Sequence, residues 1–214
     1  MAEAQITLPI LRCRSDPSAP YDFKYNGWTV TNYQANWNVW GDSNGDGSTN
    51  EDYGGTGKDA PAQKILNIRD GLSNSILFAE GYANCDSLGR TAFYSWAVET
   101  NRGQTNYGQT LGLTYYVDAN DLFIISENRS VPANSLTQGM PNTYMFQVKP
   151  VAKPVNECPT GTECCTLLFA QTGHDVMPVA MADGSIRSMT KNISQKTWNY
   201  LMQPRDGQVI NNQE

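Results

Sequence analysis

Apolar positions along the chain fall mostly in short runs of four to six residues broken by Gly, Asn, Asp and Pro, a pattern of strands and turns more than of helices. Ser75-Ile76-Leu77-Phe78-Ala79 reads as a buried strand, separated from Ile65, Ile68 and Arg69 by a turn at Asp70-Gly71. Further strands are expected within residues 92–98, 122–125, 144–148 and 166–170. Val179-Ala180-Met181-Ala182 and Ser185-Ile186-Arg187-Ser188-Met189 flank Asp183-Gly184, which predicts a hairpin with a two-residue loop. Helical periodicity is defensible only over 195–202. There Ser194 is placed to cap the first turn, Trp198, Leu201 and Met202 share a face, Ile193 and Trp198 occupy staple positions, and Pro204 ends the element. Residues 14–63 carry Trp28, Tyr33, Trp37 and Trp40 among turn formers and read as extended segments and long loops with buried aromatics. The expected class is α+β, rich in antiparallel sheet, with long ordered loops and one short C-terminal helix. No repeat, low-complexity tract or linker divides residues 1–214, so a single domain is expected.

Composition supports this picture and excludes several functions. The 214 residues include 18 Gly, 11 Pro, 11 Tyr and 5 Trp, and only 17% are charged. A net charge of -6 without clustered Lys or Arg gives no footprint for nucleic acid or an anionic membrane surface. The longest apolar runs are strand-sized, far short of a membrane span, so no membrane contact by this fragment is expected. Five cysteines, three of them gathered near Pro159 and Gly161, suit an oxidising compartment.

Chemistry is constrained by the single histidine. Any Ser/His/Asp, Cys/His or His-metal site must use His174, for which hydrogen bonding in a turn that bridges two loops is the simplest role. No Gly-x-Ser-x-Gly elbow, Gly-rich phosphate loop or Cys-x-x-Cys pair is present, and no opposed carboxylates make a glycosidase pair, so the protein is expected not to be an enzyme. Cys158, Cys164 and Cys165 with His174 would supply four soft ligands, but their spacing matches no common zinc pattern. A bridge from Cys158 to Cys164 or Cys165 fits better, with a second open between Cys13 and Cys85 or across to Cys85. Asp42-Ser43-Asn44-Gly45-Asp46-Gly47 matches the opening of a calcium loop, with Asn50 and Asp52 as further oxygen ligands. Position twelve of that loop is Tyr53 where a bidentate acid is expected, and a ligand-free Asp/Asn/Gly turn accounts for the same residues. Trp28, Trp37 and Trp40 are the candidates for glycan stacking, the alternative reading being a carbohydrate-binding module.

Four segments together resemble a known family: Leu11-Arg12-Cys13-Arg14-Ser15-Asp16-Pro17; Thr31-Asn32-Tyr33-Gln34-Ala35-Asn36-Trp37; Ile68-Arg69-Asp70-Gly71-Leu72-Ser73-Asn74-Ser75-Ile76-Leu77-Phe78-Ala79-Glu80; and His174 followed by Asp183-Gly184-Ser185-Ile186-Arg187. They are similar to the pilin-like domain-of-unknown-function family abundant in planctomycete-type bacteria, which has a prepilin-type N-terminal helix and a C-terminal His…Asp-Gly signature associated with prepilin processing. The interval between His174 and Asp183 is one residue shorter than usual, and Arg14 stands where Pro is common. The resemblance implies that His174, Asp183, Gly184, Asp70 and Gly71 are signature positions. It also implies the globular head of a cell-envelope protein, periplasmic or extracellular, anchored by a helix absent here. The partners it implies are other pilin-like subunits or envelope proteins, in a secretion or filament assembly.

Overall fold

A computed structural model describes residues 6–36, 39, 65–85, 87–90, 106–107, 110–111, 115–117, 123–125, 146–153, 157–165, 169–204, 207–208 and 210. The architecture is β-rich with a short C-terminal α-helix, as the residue pattern predicts, and three single-turn 3-10 helices among the described residues, at Pro9–Leu11, Ile65–Asn67 and Leu72–Asn74. The expected 92–98 strand lies outside those residues.

Five strands form the main sheet in the order Ile186–Met189, Met177–Met181, Ile76–Glu80, Tyr33–Asn36 and Thr110–Leu111. The first three junctions are antiparallel and the last is parallel. Along Met177–Met181, the residues Met177, Val179 and Met181 are buried while Pro178 and Ala180 are partly exposed, the alternation expected of a sheet with one covered face. Pro178 lacks an N–H, and it sits just outside the ladder to Ile76–Glu80, which begins at Val179. The Ile76–Glu80 strand is central but not buried on both faces, because Phe78 remains 38% exposed.

The hairpin at Asp183-Gly184 forms, with a longer loop than the dipeptide suggested. The Gly184 N–H donates to Met181 O at 3.0 Å, and Met181 N–H to Ser185 O at 2.9 Å, enclosing Ala182, Asp183 and Gly184. A two-residue type I′ turn needs positive φ at both central positions. Only Gly184 has it (φ +84), so the turn closes as a three-residue loop with Gly184 at the left-handed position. A second hairpin, unanticipated, joins Lys24–Tyr25 to Trp28–Thr29 through Asn26-Gly27, both at positive φ. The 144–148 strand forms at Phe146–Val148, pairing in parallel with Ala170–Thr172, which meets the expected 166–170 strand at Ala170; residues 166–168 lie outside the described residues. Phe123–Ile125 pairs with Tyr115–Val117.

The helix spans Gln195–Met202, as its periodicity predicts. Ser194 Oγ accepts from the Thr197 N–H at 3.0 Å, an N-cap bond that satisfies one free donor of the first turn. Trp198, Leu201 and Met202 then pack against Ile76, Ala79, Phe146, Met177, Val179 and Met181, with Ile193 beside them. Asn36 Nδ2 donates to Ile76 O (2.8 Å) and Met202 O (2.9 Å), fixing the end of the helix to the sheet. No helix among the described residues is long and apolar enough to cross a membrane.

Two disulfides lock the loops: Cys158 to Cys164 and Cys85 to Cys165. The first is one of the bridges the spacing allowed. The second links Cys85 across to the cysteine cluster, so the alternative Cys13 to Cys85 bridge does not form and Cys13 is the free thiol.

Candidate functional site

The site is built on a polar scaffold beneath the segment that carries Cys13. Asn32 is fully buried, and every hydrogen-bonding group it has is used. Its Oδ1 accepts from the Cys13 N–H (2.8 Å), and its Nδ2 donates to Asp16 Oδ2 (2.6 Å) and Gly81 O (3.0 Å). Its backbone N–H donates to Leu11 O (2.9 Å), and its carbonyl accepts from the Gly81 N–H (2.7 Å). The buried Asp16 carboxylate also takes the Ala83 N–H (2.8 Å), the Ser18 N–H (2.8 Å) and the Ser18 hydroxyl (2.6 Å). A buried carboxylate is tolerated because donors surround it. The result is a rigid seat for Cys13 above the end of the Ile76–Glu80 strand.

Glycine brings His174 to the same place. A Cβ on Gly173 would lie 1.9 Å from Ser15 O, so the Thr172-Gly173-His174 segment touches the Ser15 backbone directly. Three side chains then converge. His174 Nε2 is 3.5 Å from Cys13 Sγ and 3.4 Å from Glu80 Oε1. The other Glu80 oxygen accepts from the Thr172 hydroxyl (2.5 Å), and Thr172 Oγ1 accepts from the His174 N–H (3.1 Å). Glu80 is buried, whereas the His174 side chain is 44% exposed. Burial raises the Cys13 thiol pKa, opposed by a backbone hydrogen bond from Ser15 and reinforced by the Glu80 charge. Burial likewise raises the pKa of Tyr33, with Glu80 and Cys13 adding to it. On the solvent side, Lys149 pairs with Asp175 at 2.5 Å and lowers the Asp175 pKa.

A nucleophilic Cys/His/acid relay uses both ring nitrogens, one toward the thiol and the other toward the acid. Here one nitrogen faces both groups, so the geometry lacks that relay. As a set of donor atoms, however, Cys13, Glu80 and His174 lie within 4.8 Å of one another, a grouping that no other His, Cys, Asp or Glu set achieves among the described residues.

The sequence-predicted residues divide clearly. His174 does bridge two segments, but its partners Cys13 and Glu80 were not foreseen. Cys158, Cys164 and Cys165 are tied up in disulfides and cannot join His174 as zinc ligands. Asp70, Gly71, Asp183 and Gly184 lie at turns: Asp70 Oδ1 accepts from the Gly207 N–H at 3.0 Å, while the Asp183 N–H donates to Leu72 O at 3.1 Å. Asp183 Oδ1 takes the Ser185 hydroxyl (2.6 Å) and N–H (2.9 Å), which lower its pKa. Trp28 is half-buried on a strand. Trp37, Trp40 and the calcium-loop positions Asp42, Asn44, Asp46, Asn50 and Asp52 lie outside the described residues.

A family model described as "Protein of unknown function (DUF1559)" matches residues 1–196. No curated protein and no solved structure matches the chain.

Proposed function

The chain belongs to the DUF1559 family, and from that premise we propose that it is the exported head of a non-enzymatic, pilin-like cell-envelope protein that contacts other subunits or envelope proteins through its loops. The observation that carries this reading is the pair of disulfides. Cys85 and Cys165 are 80 residues apart in sequence and Cys158 and Cys164 six apart, and such bridges persist where thiols are not kept reduced. A calcium ion ordering the Asp42 to Asp52 loop belongs to the same proposal, motivated by the alternating oxygen ligands.

The test is to fractionate cells that express the natural gene, alkylate under denaturing, non-reducing conditions, and count modified cysteines by mass spectrometry. Envelope-associated protein with one alkylated thiol, Cys13, is expected. Cytosolic protein with all five cysteines alkylated overturns the proposal. For the loop, millimolar calcium should raise the melting temperature of the wild type and leave an Asp42→Ala/Asp46→Ala variant unchanged.

A further inference from the structure

We propose that Cys13, Glu80 and His174 form a binding site for a zinc-class divalent cation, with three protein ligands and a fourth position open to water. The donors are a thiolate, an imidazole and a carboxylate, the mixed S/N/O chemistry that suits this class of ion. With their two negative charges and one neutral ring, they balance a dication.

Two of the three separations match the geometry of such a centre, and the third, from Cys13 to Glu80, lies within 4.8 Å. Bonds of about 2.3 Å to sulfur and about 2.0–2.1 Å to nitrogen and oxygen, set at tetrahedral angles, place sulfur and nitrogen about 3.5–3.6 Å apart and nitrogen and oxygen about 3.3–3.4 Å apart. Here the separations are 3.5 Å from Cys13 Sγ to His174 Nε2 and 3.4 Å from His174 Nε2 to Glu80 Oε1. As hydrogen bonds these contacts compete, because a single ring nitrogen cannot accept from the thiol and donate to the carboxylate at once. A cation at the centre satisfies all three donors together, and the Cys13 proton leaves as it binds.

The surroundings hold the donors as supporting groups hold metal ligands elsewhere. Thr172 occupies Glu80 Oε2 and leaves Oε1 facing the centre. Asn32 fixes the backbone of Cys13, and the Gly173 contact fixes the approach of His174. The half-exposed ring gives ion and water a way in. Cys13 is also the one cysteine left out of the disulfides, so oxidising conditions leave it free to ligate. The ion would clasp the Cys13 segment to the sheet.

The test is Co2+ titration of the chelator-treated full chain, kept free of reductant so that both disulfides remain. One equivalent is expected to bind, with a thiolate-to-cobalt charge-transfer band in the near ultraviolet, and Zn2+ should displace it. Cys13→Ser should abolish the band. Thr172→Val should weaken binding about 10- to 100-fold, as the loss of a group orienting a ligand does, and His174→Gln and Glu80→Gln at least as much. His174 lies at the rim, so its variant tests the site in a folded protein. Folded wild type that binds no stoichiometric Co2+, or a band unchanged in Cys13→Ser or His174→Gln, overturns the proposal.

Discussion

Replacing Gly173 by alanine separates a positional account of this region from a merely compositional one. The added Cβ meets backbone, not a yielding side chain: Ser15 O at 1.9 Å, Ser15 C at 2.6 Å and Asp16 N at 3.2 Å. Ordinary contact begins at 3.4 Å, so the two segments must part by roughly 1.5 Å. Overpacking of this kind costs about 1–3 kcal/mol. The retreat also loosens the Asp16 carboxylate from Ala83 and Asn32, and each bond to a charged group contributes about 1.5–3 kcal/mol. Overpacking together with about one such bond's contribution gives a loss of about 3–5 kcal/mol, or a fall of about 10 °C in melting temperature for a chain of this size. Scanning calorimetry measures the stability, and the alkylation rate of Cys13 in the native state reports whether its seat has opened. Gly184→Ala is the control, since no atom lies within 4 Å of its added Cβ and only the φ of +84° is penalised, by about 1 kcal/mol. Gly173→Ala melting within about 2 °C of wild type, with Cys13 still protected, would refute the reasoning.

Asn32→Asp keeps the shape but turns an oxygen toward Asp16 Oδ2 and Gly81 O in place of two N–H donors; urea denaturation should show at least about 3 kcal/mol lost with an unchanged slope. Removing the Cys85 to Cys165 bridge as a double serine variant should cost about 4–5 kcal/mol by loop-closure entropy, against about 2 kcal/mol for the Cys158 to Cys164 bridge, as read by the same unfolding curves. Ser194→Ala removes the helix cap and should cost about 1 kcal/mol in thermal melts. The lowered pKa of Asp183 comes first from the Ser185 hydroxyl, so its stabilisation is present above the unfolded value of 3.8 and lost as pH falls through the lower folded value; Asp183→Asn should flatten that part of the acid limb of a melting temperature against pH plot.

What was legible in the sequence was local. The helix announces itself by Ser194, a three-residue apolar face and Pro204, all within one short window. The Asp183-Gly184 hairpin and the Cys158 to Cys164 bridge are similarly close in the chain. The loop length at Gly184 is not legible, because the dipeptide fits two turn types and only the sign of φ at Asp183 decides between them. Asn26-Gly27 carries the same signal, and there both residues take positive φ. The Cys13, Glu80 and His174 group was not legible, because 161 residues separate its outer members and two antiparallel ladders bring them together. One clue was present: a glycine immediately before the lone histidine, which in the fold is the point where two backbones touch.

The covalent tie from Cys85 to Cys165 has a mechanical consequence. Its 80-residue span, fully drawn out, would measure about 270 Å at about 3.4 Å per residue. Under a pull on the two ends of the chain, that slack is withheld, and tension passes through sulfur from one end of the span to the other. Forced extension in a single-molecule trap should therefore fall short by that length until the bond is cut.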